Sequence, residues 1–435
     1  MKKRFVPNRF YNFFKLESFG GILLIFITIL AILLANSPLA KLYHHFVHLE
    51  IGIKIGELHF VKSLAHWVND ALMAIFFVVV GLEIKREILI GELSSFRKAL
   101  LPFFAAIGGM IFPALVFYII NRGSPSAIGW GIPMATDIAF ALGILSLAGK
   151  KFPLSLKIFL TAFAIIDDIG GVIIIAIFYS KHISYIFLFA ALAIFVLMVI
   201  LNRLKVQSPV PYSLLGIVMW FFMLKSGVHS TLAGLLSAIA IPAKGSVDIK
   251  NFLNKIKIVI HKIEKKPLEG LNPLLVGKKT APEIQTIEEV THNFIPPLLK
   301  IEHALHPWVT FAILPFFAFV NAGIELHGNF ANMIFNKTSL GIILGLIIGK
   351  QVGIFLFSFF AVKSGLCLLP KGINWKMMYA VSILGGIGFT MSLFISSLAF
   401  NSPALINDSK FGILIASFIS SVMGIVMLNL SKKEG

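Results

Sequence analysis

Long apolar runs separated by short polar segments fill most of this sequence. Twelve runs approach the roughly 20 residues that a helix needs to cross a bilayer core, although only Lys225, Ser226 and Gly227 separate the seventh from the eighth. The pattern predicts about twelve transmembrane helices, with spans seven and eight short or tilted. The predicted spans are 17–35, 65–82, 99–120, 126–148, 154–179, 183–202, 209–224, 227–242, 304–322, 338–362, 375–398 and 409–430.

The first apolar run follows a basic start and has some features of a secretory signal. It is long, however, and Pro38 directly follows the only small-residue cleavage candidate, Ala35-Asn36-Ser37. Neither feature is typical of a cleaved signal peptide. We therefore interpret this run as the first transmembrane span.

One long connection lies between spans one and two, at residues 36–64. Apolar and polar side chains alternate there around Ile51, Ile53 and Ile55. This alternation predicts a small extracytoplasmic β-hairpin near residues 45–60. An irregular loop is equally compatible with the pattern.

The other long connection is a Lys-rich cytoplasmic insertion at residues 243–300. It separates spans one to eight, in residues 1–242, from spans nine to twelve, in residues 301–435. Residues 249–266 have the pattern of an amphipathic helix that lies on anionic lipid, and a flexible tether is the alternative. The insertion carries no catalytic motif.

The composition supports an all-α polytopic membrane protein. Of the 435 residues, 57% are hydrophobic and only 13% are charged, with a mean hydropathy of +0.91. A soluble protein of this apolarity would lack the polar residues needed to cover its surface. The single cysteine, Cys367, excludes an intramolecular disulfide and offers no metal motif, and we expect no cofactor.

Positive charge predicts the orientation. The segments predicted inside carry 29 Lys and Arg against 8 outside, and Lys350 lies within a span. By the positive-inside rule both termini are cytoplasmic. The formal net charge of +18 is then explained by orientation and by anionic membrane lipid, so no nucleic-acid partner is expected.

Two adjacent carboxylates, Asp167 and Asp168, interrupt the apolar run of span five. An ionised side chain at membrane depth costs at least about 2.5 to 3.5 kcal/mol, so a pair indicates a polar cavity, a bound cation or protonation. On a helix the two side chains diverge by about 100° and can serve different partners. A structural ion pair is the alternative.

Spans four and eleven are each interrupted by glycine or proline just before hydroxyl side chains. Irregular backbone at membrane depth persists only where it is buried or lines a cavity. Paired broken spans in the two halves of a chain are typical of a transporter site at the crossing of discontinuous helices, whereas close helix packing is the alternative. The interruptions are Gly129, Gly131 and Pro133 before Thr136 and Asp137, and Gly385, Gly386 and Gly388 before Thr390 and Ser392.

Lys350 lies in the middle of span ten, where it cannot easily reach water. A buried ammonium should meet a buried carboxylate, and Asp167 or Asp168 is the natural partner. Asp70 lies nearer a span end, where we expect it to be exposed to water.

These residues suggest an exchange chemistry. Sodium prefers oxygen ligands, and a dehydrated site needs carboxylate charge to replace its water. Burial disfavours a charged carboxylate and a nearby cation favours it, so one carboxylate can hold a proton or Na⁺ in turn. Alternatives are a cation channel, a transporter of another small ion, and an intramembrane aspartyl protease, which needs carboxylates on separate helices.

Seven motifs, in order along nearly the whole chain, resemble those of the NhaA-type sodium/proton antiporters. The association of paired broken spans with a transporter site is itself based partly on this family, so the broken spans and the motifs are not independent indications. The motifs are GLEIKREI at 81–88, ATDIAFALGIL at 135–145, TAFAIIDDIGG at 161–171, HSTLAG at 229–234, EHALHPWV at 302–309, IIGKQVGI at 347–354 and GGIGFTMSLFI at 385–395.

The resemblance implies twelve spans arranged as inverted repeats with crossed broken helices, and a homodimer formed through the hairpin. It also implies a transporter, not an enzyme, that exports Na⁺ or Li⁺ electrogenically in exchange for H⁺ across a bacterial inner membrane. The resemblance further implies a role in sodium homeostasis and an activity that is regulated by pH. By position, the resemblance implies that Lys350 is the buried cation that pairs with Asp167. The implied ion and proton site comprises Asp167, Asp168, Asp137, Thr136 and Lys350, with Gly388 and Thr390 at the second break.

The resemblance further implies a cytoplasmic pH-sensing cluster. Unperturbed histidine titrates near about pH 6.5, and the two histidines of the cluster share a helix face at i and i+3. Ordinary interfacial residues are the alternative, and the insertion at 243–300 departs from the family just before the cluster. The members of the predicted pH-sensing cluster are Glu83, Lys85, Arg86, Glu87, Glu302, His303 and His306.

Overall fold

The computed structural model describes residues 8–55, 58–149, 152–180, 183–245, 248–266, 273–326 and 330–431. The tip of the predicted hairpin at 56–57 lies outside the described residues. So do two parts of the insertion, 246–247 and 267–272.

The described chain is almost entirely helical. A 3₁₀ segment, Pro125–Met134, precedes α6. The helices of the first part are α1 (Asn8–Ala35), α2 (Ala40–Val47), α3 (Leu64–Trp67), α4 (Met73–Ile90), α5 (Phe96–Asn121), α6 (Ile138–Leu147), α7 (Leu154–Phe178), α8 (Tyr185–Arg203), α9 (Pro209–Ser226) and α10 (Thr231–Ala240). Those of the second part are α11 (Ile249–Glu264), α12 (Pro273–Phe294), α13 (Pro297–Trp308), α14 (Leu314–Asn321), α15 (Phe330–Phe335), α16 (Lys337–Leu344), α17 (Lys350–Lys363), α18 (Trp375–Leu384), α19 (Phe389–Ala399) and α20 (Pro403–Leu430).

Within the described residues, eight continuous helical stretches are long and apolar enough to span a membrane. Three bent pairs of helices raise the number to eleven, and α10 is a shorter apolar helix. The chain is therefore a helical polytopic membrane protein, as predicted. The count of twelve spans and the crossed inverted repeats go beyond these findings and stay predictions.

Three of the long spans contain one turn of π-helix. The segment Val68–Leu72 joins α3 to α4, Val309–Ile313 joins α13 to α14, and Gly345–Gly349 joins α16 to α17. Such π-bulges often occur at functional sites. The third places Lys350 directly after the bulge.

Span two continues to Ile90, beyond the predicted end at residue 82. The charged residues that suggested an end are tolerated because Arg86 lies near Glu83 and Glu87 on the same helix. Neighbouring opposite charges of this kind stabilise a helix.

The hairpin is present but begins later than predicted. Strand β1 (Glu50–Ile55) pairs antiparallel with β2 (Leu58–Ser63), with Ile53 opposite Phe60. Residues 40–47, part of which we assigned to the hairpin, form α2 instead. That helix buries Tyr43 and Val47, which are four residues apart and so share a face.

Side-chain contacts attach the hairpin to span two. Lys62 Nζ lies 2.8 Å from Asp70 Oδ2, and the Trp67 indole donates to the Ile51 carbonyl over 2.8 Å. The expectation that Asp70 is exposed to water was wrong, because its side chain is only 19% exposed. Lys62 on the hairpin, which the span pattern did not reveal as a partner, covers it.

The closest approach of two spans lies between α5 and α17. A Cβ atom on Gly108 would lie 2.2 Å from the Gly353 carbonyl oxygen, and one on Gly353 would lie 2.1 Å from the Gly108 carbonyl oxygen. Only glycine permits this approach, which is common between membrane helices. It holds Lys350, about one turn before Gly353, against the centre of the bundle.

The predicted amphipathic helix of the insertion forms as α11. It packs antiparallel on α12, with the Phe252 and Phe294 rings 4.3 Å apart between centroids. At the other end, Lys266 Nζ lies 2.5 Å from Glu283 Oε2. We call this pair of helices the insertion hairpin.

Candidate functional site

The two predicted helix breaks lie in direct contact. The 3₁₀ segment bends by 47° into α6, and α18 bends by 43° into α19. Asp137 N in the first break donates to the Ile387 carbonyl in the second over 2.7 Å. Ser392 Oγ donates to the Ile132 carbonyl over 2.8 Å, so α19 is bonded to the 3₁₀ segment as well.

Asp137 satisfies the amino ends of both half-helices. Its Oδ1 accepts from Phe140 N over 2.9 Å and thereby caps α6. Its Oδ2 accepts from the backbone N of Thr390 over 3.0 Å and also from the Thr390 hydroxyl. One carboxylate thus compensates two helix amino termini, which carry partial positive charge.

Cationic and hydroxyl donors serve the carbonyl ends of the preceding half-helices. Lys350 Nζ donates to the Met134 carbonyl, at the end of the 3₁₀ segment. Thr136 Oγ1 donates over 2.9 Å to the carbonyl of Gly385, which follows α18. The partial negative charge of helix carboxyl ends suits these donors, and each break therefore has a side-chain donor for one of its carbonyls.

Lys350 and Asp167 form the predicted buried pair. Lys350 Nζ lies 2.7 Å from Asp167 Oδ2, and both side chains are 0% exposed. The ammonium also lies 5.9 Å from the centre of the Phe163 ring, within reach of a cation–π attraction. The charge of Asp167 is thus compensated inside the protein.

Asp168 differs from its neighbour because it forms no ion pair with the residues that the structure describes, whereas Asp167 pairs with Lys350. Asp168 Oδ2, like Asp167 Oδ1, is buried and accepts no hydrogen bond from those residues. The divergence of the two side chains directs Asp168 toward a narrow cavity of about 80 Å³. Asp137 and Thr390 line the same cavity. A buried carboxylate oxygen without a donor needs a proton or a cation.

The same cavity is also lined by Glu83 of α4 and His306 of α13. These two residues belong to the predicted pH-sensing cluster. The structure thus connects the cluster to Asp168 through one continuous space, which sequence patterns did not reveal.

Arg86 is the centre of the cluster. Its guanidinium lies 2.8 Å from Glu302 Oε1, 3.4 Å from Glu87 Oε1 and 3.8 Å from Glu83 Oε1. Glu302 is the most buried of the three carboxylates, with a side chain 6% exposed. The contacts join α4 to α13.

One predicted member of the cluster lies elsewhere. Lys85 points to the carboxyl end of α10, where it donates to the carbonyls of Ile239, over 2.6 Å, and Ile241. It caps that helix end, a role that suits a cation. His303 is exposed, whereas His306 is half-buried at the cavity.

Gly388, the predicted glycine of the second break, is needed for space and not for an unusual backbone conformation. Its φ of −87° is accessible to any residue. A Cβ atom there would lie 2.2 Å from Ser392 Oγ and 3.1 Å from Leu346 Cδ2. A side chain would displace the Ser392 hydroxyl from its bond to the Ile132 carbonyl and press on Leu346.

Sequence reasoning missed the backbone acceptors of this site. The carbonyls of Met134, Gly385 and Ile387 have no signature in the sequence, because every residue carries one. The only available signal was the proximity of each to a predicted break.

Comparison with known proteins gives consistent matches. The family model described as Na⁺/H⁺ antiporter 1 matches residues 11–428. The Na(+)/H(+) antiporter NhaA of Oleidesulfovibrio alaskensis is 47% identical over 419 residues, which cover 96% of this chain and 93% of that protein. The Na(+)/H(+) antiporter NhaA of Christiangramia forsetii is 46% identical over 425 residues, covering 98% and 94%. The Na(+)/H(+) antiporter NhaA 2 of Syntrophotalea carbinolica is 44% identical over 426 residues, covering 98% and 97%.

Proposed function

This chain belongs to the Na⁺/H⁺ antiporter 1 family, and we propose that it exchanges Na⁺ for H⁺ at the Asp167–Asp168 site and does so electrogenically. It is a transporter and not an enzyme. The observation that carries the proposal is the contrast between Asp167, which pairs with Lys350, and Asp168, which forms no ion pair with the described residues and lines a cavity.

Asp168 is the sodium carboxylate of the proposal. A dehydrated Na⁺ takes oxygen ligands, and Asp168 Oδ2 is an oxygen that no protein donor occupies. A proton satisfies the same oxygen when Na⁺ is absent. The two ions therefore compete for one group, which couples the release of one to the binding of the other.

Asp167 supplies the second charge. When Asp167 takes a proton it loses its attraction for Lys350, and when it loses the proton the 2.7 Å pair reforms. Two groups that titrate while one monovalent ion binds make the exchange electrogenic. The membrane potential then drives Na⁺ outward.

The first test uses proteoliposomes that hold a proton gradient. Sodium chloride should collapse the gradient with wild type and with Asp248→Asn, an exposed aspartate of the insertion. Asp168→Asn should show no sodium response, and potassium chloride should be inert with all three proteins. A sodium response of wild-type size in Asp168→Asn would contradict the assignment.

A second test measures the charge moved per cycle. In a recording of transport current at saturating sodium, Asp167→Asn should lose full electrogenic exchange. The reason is that an asparagine cannot exchange its pairing with Lys350 for a proton. A variant current equal to that of wild type would contradict the role of Asp167.

The pH-sensing cluster completes the proposal. Glu83 and His306 line the cavity that reaches Asp168, and Arg86 joins Glu83, Glu87 and Glu302. A change of charge in these residues alters the potential along the entry path. Transport activity therefore follows cytoplasmic pH.

The remaining parts of the proposal concern assembly and placement. The chain lies in a bacterial inner membrane, surrounded by lipid, with both termini cytoplasmic, and it accepts Li⁺ as well as Na⁺. Two copies associate through β1 and β2, where Ile51 is 44% exposed and the strand edges offer unpaired backbone groups. Crosslinking at this hairpin in membranes tests the dimer.

A further inference from the structure

The insertion hairpin carries an apolar strip that no other part of the described chain covers. On α11, Ile249 is 58% exposed, Leu253 49% and Ile260 46%. Helical spacing of about 100° per residue places these three side chains within about 40° of each other. The strip lies beside the face formed by Phe252 and Val259, which packs on α12.

The second helix of the hairpin adds to the same strip. Ile284 on α12 is 45% exposed. Because α11 and α12 are antiparallel, the positions of Ile284 and Leu253 relative to their packing faces put both on one side of the hairpin. A patch of this kind across two helices marks an interaction surface.

Positive charge borders the strip. Lys250 and Lys257 lie about 60–80° from its centre on α11, whereas Lys255 and Lys262 lie on the opposite side of the helix. The only acidic residue of α11, Glu264, lies about 40° from the centre of the strip, and His261 Nδ1 is 3.6 Å from its carboxylate. An apolar strip edged by lysine is the pattern of a helix that lies in a membrane interface with its ammonium groups at the phosphates.

The connections bring the two ends of the insertion together. Leu298 N, in the first turn of α13, donates over 3.1 Å to the carbonyl of Pro242, just after α10. The insertion therefore leaves and re-enters the bundle at one point. That point lies at the predicted cytoplasmic end, where anionic lipid is concentrated.

We propose that the insertion hairpin binds the surface of the inner leaflet through anionic phospholipid. Ile249, Leu253, Ile260 and Ile284 enter the interface, and Lys250 and Lys257 contact the phosphates. The chemistry selects an anionic bilayer because the strip alone is narrow and the flanking lysines add attraction only where the surface is negative.

The test places an environment-sensitive fluorophore on single cysteines. Cys367 is the only cysteine and is buried, so Cys367→Ala gives a clean background for Leu253→Cys and for Ile258→Cys. Ile258 is 57% exposed on the opposite side of α11 and is the matched control. The full-length protein is reconstituted in vesicles of phosphatidylglycerol or of phosphatidylcholine, with and without brominated acyl chains.

We expect the probe at residue 253 to shift to shorter wavelength and to be quenched by brominated phosphatidylglycerol. The probe at residue 258 should do neither, and phosphatidylcholine should give no shift at either site. Lys250→Gln with Lys257→Gln should abolish the shift, whereas Lys255→Gln with Lys262→Gln should retain it.

Three outcomes would overturn the proposal. The residue 253 probe fails to shift in phosphatidylglycerol, or it shifts equally in phosphatidylcholine, or the shift already occurs in detergent and grows with protein concentration. The last result would assign the strip to contact between copies of the chain. None of these readouts depends on ion exchange, so they are independent of the proposed function.

Discussion

The ion site and the pH-sensing cluster use the same residue types in opposite surroundings. In the ion site, the side chains of Lys350 and Asp167 are 0% exposed. In the cluster, Arg86 is 26% exposed and shares three carboxylates at 2.8 to 3.8 Å. Loss of one partner from the buried Lys350–Asp167 pair leaves the other charge without a partner and without water, which is costly. The cluster around Arg86 is partly exposed, so water can compensate for the loss of one of its charges.

The cavity shows how the two regions can still act together. Asp168, Glu83 and His306 line the same cavity. In the proposed function, the buried Asp168 exchanges ions, and the partly exposed Glu83 and the half-buried His306 respond to the proton concentration. A carboxylate next to water suits a sensor, and a carboxylate shielded from water suits ion exchange.

The largest expected effect comes from breaking the buried pair. Lys350→Met should destabilise the protein by about 3–5 kcal/mol, the usual cost of leaving a buried charge unpaired. The melting temperature in detergent should fall accordingly. Lys363→Met, at the exposed end of the same helix, is the control and should melt like wild type.

The double variant Lys350→Met with Asp167→Asn sharpens this result. Both charges are then absent, so most of the lost stability should return. If the double variant is no more stable than Lys350→Met alone, the loss arises from packing around the ammonium and not from the unpaired carboxylate.

The sequence predicted the parts of this site that have unusual residues at membrane depth. Asp167, Asp168 and Lys350 could be recognised because charge is costly there, and the breaks could be recognised from glycine and proline. The pairing of Lys350 with Asp167 came from the family resemblance, since the residues alone left Asp168 open as a partner.

The parts that could not be predicted depend on geometry between distant segments. Asp137 was assigned to the site, but its bonds to Phe140 and Thr390 require both half-helices to meet. The helical state of residues 40–47 was missed because their pattern was read together with that of the following strands. Lys85 was grouped with Arg86 by motif, although adjacent helical residues point in different directions.

A smaller effect is expected from changes in the pH-sensing cluster around Arg86. Glu302→Gln with His303→Ala should shift the curve of transport activity against pH by about one unit, equivalent to about 1.4 kcal/mol. The reason is that Glu302 compensates Arg86 at 2.8 Å. Initial rates of sodium-dependent proton movement across a pH series provide the measurement.

The control for the cluster has the same residue types on an exposed helix. His261 and Glu264 on α11 lie 3.6 Å apart, with side chains 64% and 68% exposed. His261→Ala with Glu264→Gln should leave the pH curve unchanged. If both double variants shift the curve equally, the cluster has no special role and its residues are ordinary interfacial groups.

The smallest effect is expected from the ion pair of the insertion hairpin, where the side chain of Lys266 is 28% exposed and that of Glu283 is 15% exposed. The hydrogen bond from Lys266 holds the pKa of Glu283 below its ordinary value of 4.5. Because folding lowers this pKa, the pair stabilises the insertion hairpin at pH values above the ordinary pKa of a glutamate. That stabilisation is lost as the pH falls through the lowered pKa. Glu283→Gln should therefore slightly reduce hydrogen-exchange protection of α11 at neutral pH and leave the rest of the chain unaffected. The control is Glu289→Gln, which replaces an exposed glutamate of α12 and should leave that protection intact. An equal loss of protection in both variants would mean that the contact between Lys266 and Glu283 contributes nothing specific. Only burial would then separate effective ion pairs from ineffective ones in this protein.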